Sequence, residues 1–148
     1  MKSYEEFRKA IGQRESSDNY ACKNQFGFLG RYQFGMARLC DLGLTHRKDP
    51  ESHSCENDAF EWNDPLSEQN YLEHPKLQDH TFDLHVADLK RQLRRFYHDD
   101  NWSGAIAASH LVGVNDYRKY YETGEKVADA NGVTAADYER EFTGYEIP

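Results

Sequence analysis

The sequence predicts a mainly α fold, a helical bundle around one long central helix with a small ribbon or loop beside it. Three observations carry this. Apolar residues keep helical spacing from Thr81 to Tyr97, where Phe82, Val86, Leu89, Leu93 and Phe96 form one stripe and the basic residues take the other faces. Capping residues stand ahead of several other apolar-periodic segments. No stretch calls for a sheet beyond a glycine-punctuated ribbon around Gly27 to Tyr32. At 148 residues the chain fits a single domain spanning 1–148 with a sizeable core.

The first element follows from Ser3-Tyr4-Glu5-Glu6, which has capping-box spacing ahead of an apolar run. Tyr4, Phe7 and Ile11 lie at i, i+3 and i+7, and the next position on that stripe is Glu15. A carboxylate turned toward apolar surface loses hydration, which favours its protonated form and raises its pKa, as a general acid near neutral pH requires. The plainer reading is a carboxylate at a helix end that turns to water.

From Ala21 to Gly35, glycines alternate with aromatics, giving a loop or small ribbon that folds over Glu15. Met36 to Leu42 reads as a helix with Leu39 and Leu42 inward and Gly43 closing it. Thr45 to Asp64 is polar and acidic and reads as a long loop. Leu66 to Leu72 forms a short helix stopped near His74-Pro75. Beyond the central helix, Ser103 caps a small-residue helix from Gly104 to Val112 that closes at Gly113. Asn115 caps a short helix through Tyr121, and Thr134 with Asp137 starts a last helix to Phe142.

Composition excludes several functions. A net charge of −8 argues against a nucleic-acid partner, and the one basic run, Lys90 to Arg95, is a solvated helix face. Aromatics make up 14% of the chain, which suits an aromatic-lined groove, and aromatic faces suit sugars as well as cores. No apolar run spans a membrane and no signal peptide is legible, so the chain reads as soluble and unprocessed or as a domain cut from a larger protein; were it to act outside the cell, it would be delivered by another route. Three cysteines, Cys22, Cys40 and Cys55, assert no disulfide framework. The seven histidines include His53-x-Cys55 and the trio His74, His80 and His85, which lack metal-ligand spacing, so neither metal nor cofactor is expected. There is no nucleophile elbow and no phosphate cradle. His110, on the small-residue helix, is either a satisfied core histidine or a cleft-lining ligand to substrate.

Four segments in order carry a resemblance. Glu15-Ser16-Ser17 with Asn19-Tyr20 resembles an E-S motif at a helix end, and Gly30-Arg31-Tyr32-Gln33-Phe34-Gly35 resembles G-x-M-Q. Ala107-Ala108-Ser109-His110-Leu111-Val112-Gly113 resembles A-A-Y-N-A-G. Asp129 to Thr134 followed by Asp137-Tyr138 resembles D-x-G-T-x-x-D-Y. Together they are similar to the lytic transglycosylases of lysozyme-like fold, the superfamily that also holds goose-type lysozymes. Tyr32 stands in place of the family's methionine and His110 in place of its tyrosine, both keeping a planar group.

The resemblance implies an α+β lysozyme-like fold whose ribbon flanks a substrate groove. It implies Glu15 as the catalytic acid, with Ser16, Tyr32, Gln33, His110 and Tyr138 as substrate-binding residues gathered around it. It implies cleavage of peptidoglycan glycan strands, and a branch found in phage-associated and secreted bacteriolytic enzymes. Hydrolysis would need a second carboxylate, for which Asp18, Asp41, Asp58, Glu61 and Asp64 are the candidates. The rival readings are a hydrolytic lysozyme, a non-catalytic peptidoglycan-binding module and an unrelated helical interaction domain. The site of action would be the periplasm or cell wall, with an inhibitor or immunity protein as a further partner. The acidic charge suits an effector, part of a larger particle, or a chain fused to a binding domain.

Overall fold

The structure, a computed structural model, describes residues Met1–Pro148. It is mainly α. Seven helices hold about half of the residues: α1 (Tyr4–Ser16), α2 (Met36–Asp41), α3 (Glu68–Leu72), α4 (Pro75–Leu93), α5 (Trp102–Val112), α6 (Val114–Thr123) and α7 (Ala135–Glu141). One antiparallel sheet pairs β1 (Thr45–Arg47) with β2 (Phe60–Trp62). The chain divides into two compact units, Ile11–Leu84 and Met1–Ala10 with His85–Pro148. No helix is long and apolar enough to cross a membrane.

Within Ile11–Leu84, the polar stretch expected to be a loop contains the sheet. Thr45 pairs with Trp62, His46 with Glu61 and Arg47 with Phe60, and Thr45 and Phe60 are buried. The Thr45 hydroxyl donates to the Met36 carbonyl at 2.9 Å, tying β1 to α2, which packs on both strands. Each strand is too short for its alternation to show in the sequence. The ribbon expected at Gly27 to Tyr32 is instead a series of turns with isolated bridges, Lys23 to Leu29 and Leu29 to Phe34. Positive φ at Gly27, Gly30 and Gln33 bends the chain too often for a strand. α3 opens with a capping box, Ser67 Oγ accepting from the Asn70 amide at 3.1 Å and Asn70 Oδ1 from the Ser67 amide at 2.8 Å. α4 begins at Pro75, before the expected Thr81, because proline has no N–H to leave unsatisfied in a first turn.

In the other unit the capping box at Ser3 is formed. The Glu6 carboxylate accepts from the Ser3 amide at 2.7 Å and Ser3 Oγ from the Glu6 amide at 3.1 Å. Phe7 is fully buried against Phe142 and Tyr145. α5 carries small residues at Ser103, Gly104, Ala105, Ala107, Ala108 and Ser109, and at Gly104 a Cβ would lie 2.5 Å from the Glu139 carbonyl, so only glycine admits α7 this closely. Two expected caps are corrected. Asn101 caps α5 by accepting from the Gly104 amide at 3.2 Å, while Ser103 is buried inside the helix, donating to the Phe142 carbonyl at 2.6 Å. α6 starts behind Gly113 with no side-chain cap, so Asn115 lies within it. Thr134 does cap α7, accepting from the Asp137 amide at 3.1 Å. A run of polar residues offers several caps, and the backbone turn decides which is used.

Candidate functional site

Glu15 and Ser16 are the last residues of α1, beyond the buried Ile11 and Gly12, and both are partly buried. The helix ends because Ser17 and Asp18 take left-handed backbone, φ 55 and 64. That turn brings the Asp18 amide to the Gly12 carbonyl at 3.0 Å and closes the helix end. The Ser16 hydroxyl donates to the Arg31 carbonyl at 2.8 Å and accepts from the Asn19 amide at 3.0 Å. The residue after Glu15 thereby joins the helix end to the glycine-rich segment.

Arg31 completes that joint. Its side chain is 11% exposed and sits between two carboxylates, with Nε donating to Asp18 and Nη1 to Asp79 at 3.0 Å. Nη1 also lies 2.9 Å from the Tyr20 hydroxyl and 2.8 Å from that of Tyr32, and both phenols donate to Asp79. Burial works against the charged guanidinium, but its bonds to Asp18 and Asp79 leave it above its ordinary pKa. The Tyr32 phenol is also pushed up, first by burial and then by its bond to Asp79. The backbone is held too: the Arg31 amide donates to Gln78 Oε1 at 2.9 Å, and Gln78 Nε2 donates to the Tyr20 and Tyr71 carbonyls.

Two glycines make room for this arrangement. At Gly12 a Cβ would stand 2.7 Å from Arg31 Nε and from Asp18 Oδ1. At Gly30 the backbone has φ +77 and a Cβ would lie 2.3 Å from Gln78 Oε1.

The unit Ile11–Leu84 therefore holds Glu15, Ser16, Tyr32 and Gln33 on two joined segments. Tyr32 is 1% exposed and stacks on Phe82 with ring centroids 4.2 Å apart, so its ring is core and its hydroxyl belongs to the Arg31 cluster. Gln33, at φ 57, donates from Nε2 to the Gly30 carbonyl at 2.9 Å. Sequence reasoning missed Arg31, Gln78 and Asp79. Arg31 occupies the unspecified position of its own motif, and nothing near Gln78 and Asp79 in the chain marks them.

His110 and Tyr138 belong to the other unit. His110, on α5 and partly buried, places Nδ1 2.9 Å from Nε2 of the buried His85. One imidazole donates and the other accepts. Tyr138, on α7, is 3% exposed and packs on Phe142 with centroids 5.1 Å apart.

Three of the acids weighed as a second carboxylate are paired: Asp18 with Arg31, Asp41 with Arg38 at 3.4 Å and Glu61 with His46 at 2.8 Å. His46 is raised by its bond to Asn63 and then by Glu61. All three cysteines are free thiols. The chain matches no protein-family model, no curated protein and no solved structure.

Proposed function

We propose that this chain cleaves peptidoglycan glycan strands at the β-1,4 bond between N-acetylmuramic acid and N-acetylglucosamine, with Glu15 as general acid and then base. The observation that carries the reading is the joint between the first two motif segments. The Ser16 hydroxyl donates to the Arg31 carbonyl, and Arg31 bridges Asp18 and Asp79, so the end of α1 and the Gly30–Gly35 segment are positioned together. A glutamate on so fixed a helix end can be held against a substrate bond.

Glu15 would protonate the glycosidic oxygen while the sugar passes through an oxocarbenium-like state. Its carboxylate would then take the proton from the C6 hydroxyl of the same muramic acid as O6 bonds to C1. The products are an anhydro end and a free hydroxyl, no water is consumed, and Glu15 returns to its acid form. Gln33 would contact the substrate beside Glu15, with Ser16 and Tyr32 acting through the segment they hold. His110 and Tyr138 enter through their matching motif segments. Hydrolysis would draw on a second carboxylate to position water, and of the candidates Asp18 is committed to a part-buried ion pair with Arg31.

Glu15→Gln keeps size and removes the acid. Turnover of purified sacculi should fall by about 100-fold or more while the fold is retained. Near-normal release of fragments by that variant overturns the assignment, and binding of sacculi without any release by the natural chain identifies a non-catalytic module. Mass spectrometry of the fragments separates anhydro from reducing ends.

A further inference from the structure

The unit of Met1–Ala10 and His85–Pro148 contains a pocket of about 300 Å³ lined chiefly by Tyr97, Asp99, Asn101, Tyr120, Tyr121 and Glu139. Its walls and the layer behind them are phenol rings. Tyr97 and Tyr121 have centroids 5.0 Å apart, Tyr121 stacks on Tyr117 at 6.0 Å, and Tyr117 lies 5.9 Å from Tyr120. Its charges are carboxylates. Glu139 accepts from the Tyr117 hydroxyl at 2.6 Å and from Tyr120 at 3.3 Å, and Asp99 accepts from Tyr121 at 2.9 Å.

These donors are neutral, so they orient the carboxylates without cancelling their charge. No lysine, arginine or histidine lines the pocket. Arg140, whose charge is felt at Tyr120, is bonded to Asp137 at 2.7 Å and 74% exposed. Each hydroxyl that donates to a carboxylate also leaves its own ring richer in electrons. Electron-rich ring faces attract a cation through the ring quadrupole, and the attraction strengthens as water is removed. An anion is repelled by Glu139 and Asp99, and the two carboxylates are not part of any cluster of three or more acidic, histidine or cysteine side chains placed to hold a metal ion.

We infer that this pocket binds an alkylammonium group, its charge facing Glu139 and Asp99 and its methyl or methylene groups against the tyrosine rings. A volume of about 300 Å³ is at the small end of ligand sites. It fits a small amine or the tip of a lysine-like chain. The inference is independent of the role given to Glu15.

The test is a titration of the full, isotope-labelled chain with tetramethylammonium and n-butylammonium chloride at constant ionic strength, with tert-butanol as a neutral probe of similar bulk. Saturable shifts of the Asn101 and Gly124 amides with either ammonium salt, and none with tert-butanol, are expected. Glu139→Gln and Tyr120→Ala should each weaken that binding by about tenfold. Asp99→Asn, at an exposed position, keeps the test open should Glu139→Gln fail to fold. Shifts that do not saturate, an equal response to tert-butanol, or unchanged affinity in the folded variants overturns the inference. An N-acetyl-lysine amide arm separates the sources: tighter binding than butylammonium assigns a peptide lysine, equal or weaker binding a free amine.

Discussion

Arg31 and Glu139 are the centres of two polar clusters made from the same parts, tyrosine hydroxyls donating to carboxylates. They differ in where the positive charge comes from. Around Asp18 and Asp79 the chain supplies its own cation, the 11%-exposed Arg31, so the cluster is closed and its groups are spent on one another. Around Glu139 and Asp99 the donors are neutral phenols and no basic side chain lines the adjoining pocket. A closed cluster fixes geometry; an open one leaves a carboxylate's field available to a ligand. The first is therefore a brace for the segment proposed to carry the catalytic acid, and the second suits the proposed recognition of a cation.

Breaking the closed cluster should have the largest effect. Arg31→Met leaves two carboxylates without their cation. A fully buried pair would cost more, but Asp18 and Asp79 keep side-chain exposures of 30% and 25%, which brings the expected loss to about 3 kcal/mol by urea denaturation. The proposed wall-degrading activity should fall with it; an unchanged denaturation midpoint would show that Arg31 does not hold the segment. Gly30→Ala acts on the backbone of the same cluster. It forces a side chain onto φ +77 and displaces Gln78 from the Arg31 amide, for an expected loss of about 2 kcal/mol in the same assay.

The open cluster should respond less and with a different pH signature. Tyr117→Phe keeps the ring and removes one donor to Glu139, at about 1–2 kcal/mol near neutral pH. The Tyr117 phenol is held above its ordinary value of about 10, first by burial and then by Glu139. Above pH 10 or so the unfolded chain loses a proton that the folded chain keeps, so stability should fall as pH rises. Denaturation midpoints taken from neutral to alkaline pH should therefore decline in the natural chain and decline less in the Tyr117→Phe variant. The Tyr32 phenol, shifted in the same direction, supplies a share that remains. The smallest effect is expected at Thr134→Ala, which removes the cap of α7, the helix that carries Glu139, and should cost about 1 kcal/mol in a thermal melt.

Much of the helical framework was legible because helices are written in local code. The stripe through Phe82, Val86, Leu89 and Leu93, the box at Ser3 and Glu6 and the cap at Thr134 depend on residues at most a few turns apart. Ahead of α5 the sequence pointed to Ser103 and the structure uses Asn101, because which polar residue caps is decided by the backbone turn. The hairpin of β1 and β2 escaped for a related reason. Its strands hold three residues each, and their partners come from across an acidic loop.

For the candidate site, the sequence by itself singled out Glu15, Ser16, Tyr32, Gln33, His110 and Tyr138, through a helical stripe that ends on an acid and through short motifs in order. It also fixed Arg31 in the chain without giving it a purpose. Only the tertiary structure decided that Arg31 turns inward between Asp18 and Asp79, that the Tyr32 ring is core, and that Glu139 meets tyrosines of α6 rather than a basic residue. A side chain's charge and size belong to the sequence. Its solvation and its partners are set by what other segments bring within a few ångströms, and chemistry depends on those.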